Sequence, residues 1–136
     1  GGMKLWDMSG YELVKNLLRQ KERVRSLALD TATDRAYAGL QSGNIRSVSL
    51  GNARNRTELK GHTDFVSCLS IDPASQYLVS GSWDRTLRVW DMDSCELISS
   101  SMCKNGISSL VWHPSGGHIY TTDFTGSLIS WKIDLQ

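Results

Sequence analysis

Apolar positions recur along the chain at two periods. The short one is two residues. In Thr86-Leu87-Arg88-Val89-Trp90-Asp91, Leu87 and Val89 share one face and Arg88 and Trp90 the other, which is the pattern of a β-strand. Val66-Ser67-Cys68-Leu69-Ser70-Ile71 is a short run rich in apolar residues, followed by the turn signal Asp72-Pro73-Ala74-Ser75. Tyr77-Leu78-Val79-Ser80-Gly81-Ser82 is the next run, and a tight turn at Trp83-Asp84-Arg85 leads into Thr86. Residues 96–100 make a weaker fourth strand.

The long period is about 42 residues. Trp6, Val48, Trp90 and Trp131 stand 42, 42 and 41 apart. Val24, Val66 and Ile107 repeat at 42 and 41, as do Leu27, Leu69 and Leu110, and the turn positions Asp30, Asp72 and His113. Four ladders in one register imply one supersecondary unit per period. Four short antiparallel strands cannot bury both faces of their sheet alone. Stacking such sheets radially does bury them. The expected fold is therefore all-β, part of a β-propeller of four-stranded antiparallel blades of about 42 residues. Residues 8–18 also fit an amphipathic helix with Val14, Leu17 and Leu18 on one side, but the repeat register favours a strand there.

Composition narrows the function classes. The 136 residues leave room for one ordinary domain, and 40% hydrophobic residues can fill a core. No apolar run approaches the roughly 18–20 residues of a membrane span. Three cysteines with no Cys-x-x-Cys pair argue against a disulfide framework or zinc site, and for an intracellular compartment, cytoplasmic or nuclear. Asn55-Arg56-Thr57 matches a glycosylation sequon, and with no secretory signal it reads as chance. Net charge is only +1, but it is split. Residues 1–60 carry 11 basic and 6 acidic side chains, and residues 61–136 carry 4 and 8. The basic half includes Lys15, Arg19, Lys21, Arg23, Arg25, Arg54, Arg56 and Lys60. It reads as a solvated edge, or as a contact for an acidic partner or RNA phosphates. Aromatic residues do not interleave these positions in sequence, which weakens the RNA reading. His113 and His118 flank Pro114-Ser115-Gly116-Gly117 and read as the two sides of a turn rather than as metal ligands.

Gly61-His62 through Ser80-Gly81-Ser82-Trp83-Asp84 to Trp90-Asp91 resembles a complete repeat of the WD-repeat family. The flanking copies are degenerate. The one ending at Val48 lacks Gly-His and Trp-Asp; the one ending at Trp131 has Asn105-Gly106 in place of Gly-His, and Lys132 after its Trp. The resemblance implies the end of a blade at 3–18, blades at 22–60 and 62–103, and an incomplete blade at 106–133, within one partial propeller over 1–136. Gly1-Gly2-Met3 reads as a fragment boundary and 133–136 as lying near a propeller end. The ring is expected to be completed by missing residues or by further chains.

The same resemblance implies a hydrogen-bonded quartet of His62, Ser80, Asp84 and Trp90, with Ser82 the alternative hydroxyl. A His, a Ser and an Asp also suggest a hydrolytic triad. Ser80 lies within a strand rather than on a strained turn, so a structural role is expected and catalysis is not. Strand counting puts the loop before each first strand on the same rim as the turn between second and third strands. The family's ligand-facing positions there are Arg23, Arg25, Gln41, Phe65, Ser67, Trp83 and Phe124, with Gly106 and Ser108 the equivalents in the last blade. The expected function is a non-enzymatic scaffold binding a protein or peptide, with no cofactor, metal or membrane. The alternative is a ribonucleoprotein-associated module. The order Tyr37-Ala38-Gly39, Ser42-Gly43-Asn44-Ile45, Gly61-His62 and Val79-Ser80-Gly81-Ser82 resembles WD-repeat subunits of ribosomal large-subunit processing complexes.

Overall fold

The computed structural model describes residues 1–10, 12–19 and 21–134, with the side chains of residues 14, 15 and 17–19 left aside. Tyr11, expected to open a strand, and residues 135–136 lie outside the described residues, as do the side chains of Val14, Lys15, Leu17, Leu18 and Arg19.

Among the described residues, thirteen strands form four antiparallel sheets, each a simple meander. The first sheet pairs β1 (Gly2–Asp7) with β2 (Glu12–Arg19), so residues 12–19 are strand and not helix. The second runs β3 (Val24–Asp30), β4 (Arg35–Leu40), β5 (Ile45–Ser49) and β6 (Arg56–Leu59). The third runs β7 (Val66–Ile71), β8 (Tyr77–Ser82), β9 (Thr86–Asp91) and β10 (Leu97–Met102). The fourth holds β11 (Ile107–Trp112), β12 (His118–Asp123) and β13 (Leu128–Lys132). His113 and His118 pair across the β11–β12 turn, the His113 N–H donating to the His118 carbonyl at 2.9 Å.

The sheets stack face to face, and β7 packs against β3 on one side and β11 on the other. Three apolar layers lie between them. Met3 meets Ala36, Ala38, Leu40 and Val48. Tyr37, Ile45 and Leu59 meet Val66, Leu69, Leu78 and Trp90. Cys68, Val79, Leu87 and Val89 meet Ile107, Leu110, Trp112 and Ile119. The alternation of β9 is thus used on both faces: Leu87 and Val89 point into one layer, Trp90 into the other. Cys68 is a core residue whose thiol burial pushes up to about 11.

Two glycines set the spacing of the sheets. A Cβ on Gly39 would lie 2.1 Å from Ser26 Oγ and 2.7 Å from Val66 Cγ1. One on Gly81 would lie 2.6 Å from Ile107 Cγ2 and 2.7 Å from Cys68 Sγ. Only a residue without a side chain admits so close an approach.

The pairing also carries an irregularity repeated in three sheets. The register of the first strand shifts between Val24 and Ser26, between Val66 and Cys68, and between Ile107 and Ser109. Arg25, Ser67 and Ser108 are therefore extra residues in β-bulges, which re-aim a side chain near the end of a strand.

Candidate functional site: the rim and the quartet behind it

The β8–β9 turn is held from behind by a buried polar chain. His62 Nδ1–H donates to Asp84 Oδ2 at 2.9 Å, and the Ser80 hydroxyl donates to His62 Nε2 at 2.7 Å. Ser80 Oγ in turn accepts from Trp90 Nε1–H at 2.8 Å. Asp84 also accepts from the Thr63 N–H at 3.0 Å, the Thr86 N–H at 2.8 Å and the Thr86 hydroxyl at 2.7 Å. The strands and turn thus bring together His62, Ser80, Asp84 and Trp90. Ser82, the alternative hydroxyl, instead donates to the carbonyls of Asp64 and Phe65.

Burial pushes the His62 imidazole below its usual range, against the upward pull of Asp84. It is neutral at pH 7. Burial acts upward on Asp84 too, but the bonds from Thr86, Thr63 and His62 outweigh it and hold its carboxyl low. Ser80 is fully buried, with its hydroxyl engaged on both sides. The hydrogen bonds follow the order of a hydrolytic triad, but the hydroxyl is enclosed and taken up by the Trp90 N–H rather than presented to a substrate.

The fourth sheet solves the same problem with other residues. Trp131 Nε1–H donates to the Thr121 hydroxyl at 2.8 Å, matching Trp90 on Ser80. The Phe124 N–H bonds the Gly106 carbonyl as the Trp83 N–H bonds that of Phe65. This register corrects the sequence reading: Cys103, not Asn105-Gly106, stands where His62 stands. The carboxylate has moved two positions to Asp123, which accepts from Asn105 Nδ2 at 3.1 Å and the Thr125 hydroxyl at 2.7 Å. The Thr125 hydroxyl bond, followed by the Ser127 N–H, holds the Asp123 carboxyl far below its usual range. In the second sheet Ala38, Ser42 and Val48 occupy the places of Ser80, Asp84 and Trp90, and apolar packing replaces the polar chain.

In front of the quartet lies a run of rings. Arg25 sits over Phe65 with its guanidinium carbon 4.4 Å from the ring centroid. Phe65 stacks on Trp83 at 5.8 Å and 18°. Trp83 meets Phe124 edge to face at 4.0 Å and 70°. Trp83 and Phe124 keep 43% and 49% of their surface exposed. Sequence spacing separates the basic and aromatic residues, but the fold joins them. Arg23 and Gln41 are exposed on the same rim, where the Gln41 N–H bonds the Arg23 carbonyl. Ser67 departs from the expected role. Its hydroxyl is spent on the carbonyls of Gly81 and Ile107, tying the third sheet to the fourth. The basic residues also divide, because Arg54 and Arg56 lie at the β5–β6 turn on the opposite rim from Lys21, Arg23 and Arg25.

A cleft of about 500 Å³ opens beside Trp83 and Phe124, walled by Asp64, Arg85, Lys104 and Thr125. Sequence reasoning missed Arg85 and Lys104. One signal was present: Arg85 stands at the turn position filled by Gly43 and Gly126, and all three adopt positive φ (68°, 97° and 92°). A non-glycine residue is uncommon in that conformation, so a long cationic side chain there is held at a backbone cost.

Stacked four-stranded meanders with a buried His–Ser–Asp–Trp quartet define a β-propeller scaffold of the WD-repeat class. Residues 53–91 match the family model described as WD domain, G-beta repeat. The SAGA complex subunit Spt8 of Schizosaccharomyces pombe is 35% identical over 96 residues, covering 68% of this chain and 18% of that protein. The ribosome biogenesis protein bop1-A of Xenopus laevis is 38% identical over 58 residues, 43% of this chain and 8% of that one. The crystal structure of RRP9 WD40 repeats superposes with a TM-score of 0.79 at 19% identity, over 86% of this chain and 37% of that one. The chain belongs to the WD-repeat family and spans a minor part of the length of each of these relatives. WD-repeat proteins are, as a class, interaction scaffolds rather than enzymes.

Proposed function

We propose that this propeller segment docks a protein or peptide on the rim formed by Arg25, Phe65, Trp83 and Phe124. The observation that carries the reading is the partly exposed aromatic run with a guanidinium seated at its end. Trp and Arg are the residues that most often dominate binding energy. The ligand carries an acidic segment toward Arg23 and Arg25 and an apolar side chain into the cleft beside Trp83. The setting is intracellular, in keeping with three cysteines that stay free thiols. Trp83→Ala should weaken a partner crosslinked to this rim by about 2 kcal/mol or more while leaving the melting temperature nearly unchanged. Unfolding of the variant, or an unchanged affinity, would make the rim structural.

A second reading has one observation in its favour. Arg25 over Phe65 makes a cationic stacking platform of the kind that holds nucleic-acid bases. The names of relatives such as ribosome biogenesis protein bop1-A point the same way. Binding of single-stranded RNA with a steep salt dependence, lost in Arg25→Gln, would favour it over the peptide.

A further inference from the structure

The opposite rim carries a second concavity, independent of the aromatic run. A cleft of about 440 Å³ lies between the second and third sheets, at their β3–β4, β7–β8 and β9–β10 turns. Tyr37, Met92 and Cys95 line it together with the hydroxyls of Thr33, Thr57, Ser75 and Ser94. Arg35 lines the same cleft from the start of β4.

Arg35 is held but not neutralised. Its Nη2 donates to Ser47 Oγ at 2.6 Å and Thr57 Oγ1 at 3.3 Å, and its Nη1 to Asn55 Oδ1 at 3.4 Å. The Tyr37 hydroxyl is its fourth partner. All four are neutral oxygens. Asp30, the nearby buried carboxylate, is occupied instead by the Thr33 and Ser75 hydroxyls and the Ala32 N–H. Five N–H donors in a planar fork exceed what these partners consume. The outcome is a positioned cation facing a cleft of the size that suits a small ligand or a few peptide residues. The facing wall holds Asp93, exposed and with its carboxylate in no ion pair among the described residues.

We propose that this cleft binds a linear peptide through an Asp or Glu carboxylate on Arg35, with a Lys or Arg of the same peptide against Asp93. Charges of opposite sign on facing walls select a ligand with the complementary pair. Asp93 also disfavours a doubly charged phosphate, which a lone guanidinium would otherwise accept.

Cys95 supplies a built-in reporter. It is a half-buried thiol on the cleft wall, whereas Cys68 and Cys103 are buried and their thiols are pushed up in pKa by that burial. A displayed library of short random peptides is selected on the intact protein and counter-selected on Arg35→Gln. Retained peptides should carry an acid with a base nearby. Each, once synthesised, should slow iodoacetamide labelling of Cys95. Changing the peptide's Glu to Gln should cost about tenfold in affinity, the scale of a charge-assisted bond. Should Arg35→Gln fail to fold, Asp93→Asn on its exposed turn should remove the preference for the basic neighbour. Trp83→Ala should change none of this, which separates the cleft from the other rim. Equal binding of Glu and Gln peptides, no protection of Cys95, or Asp93→Asn without effect would overturn the proposal. So would tighter binding of a phosphoserine peptide, or protection by inorganic phosphate alone.

Discussion

At the scale of single residues, the quartet ties stability to pH. The unfolded His62 titrates near 6.5, and the folded one lower because it is buried. Below 6.5 the unfolded chain therefore binds more protons than the folded one. This contribution is complete above 6.5 and is lost as pH falls. Asp84, held below its usual 3.8, adds a second contribution present above 3.8 and lost as pH falls through its folded value. Urea unfolding should give a plateau above 6.5 and a decline below it, and His62→Gln should remove the upper step. A wild-type profile flat from 7 to 5 would contradict this. Asp84→Ala leaves the Thr63 and Thr86 N–H groups short of an acceptor and the imidazole N–H with only the Thr86 hydroxyl, at a cost of about 1–3 kcal/mol. The tryptophans give a paired comparison. Trp90 donates to Ser80, whereas the buried Trp112 Nε1 has no partner among the described residues. Trp90→Phe should therefore cost more than Trp112→Phe when both are unfolded in parallel, and the reverse order would be at odds with the hydrogen-bond accounting.

At the scale of strands and turns, the close approach of sheets makes Gly81 the sensitive position. A methyl there meets Ile107 and Cys68 below 3 Å. Gly81→Ala should cost about 1–3 kcal/mol through overpacking, and a thermal melt equal to the wild type would show that the sheets can part. Strand positions were legible in the sequence because β7 to β9 alternate and end in recognisable turns. Trp90 was legible because a spacing of 42 residues repeats only when whole sheets repeat. The bulges were not legible. An extra residue in a strand leaves no mark on residue type, and the guanidinium of Arg25 stands where Ser67 and Ser108 carry a hydroxyl. The Asp123 arrangement was hidden for a related reason. A carboxylate two positions earlier in the turn still accepts from the Ser127 N–H, the counterpart of the Thr86 N–H bound by Asp84, but it stands outside the family's motif. The Arg35 cleft joins residues some 60 positions apart in two sheets, and no local pattern records that meeting.

At the scale of the whole molecule, apolar side chains stay in water at both ends of the stack. Leu27 and Leu29 are 57% and 54% exposed on the face of the second sheet that the two-stranded first sheet covers only in part, and Val111 and Leu128 are 57% and 73% exposed on the fourth sheet. Exposed apolar faces and open strand edges favour association. The 136-residue chain taken alone should therefore self-associate in sedimentation at micromolar concentration. Leu27→Thr with Leu29→Thr should shift it toward the monomer. A well-dispersed wild-type monomer would count against this reading.

The bulges at Arg25, Ser67 and Ser108 have a consequence for how repeats diverge. A residue in the ladder of these edge strands answers to a neighbour across the sheet and to the next sheet above it. The bulged residue is released from the first of these demands. Replacing it leaves every other pairing in place. One copy carries a guanidinium that reaches over a ring, one ties two sheets together, and one bonds Thr122 at 2.9 Å within its own sheet. The fold thus grants each blade one letter that can be rewritten alone. A ring of such blades spells a recognition surface from independent characters set on a fixed line.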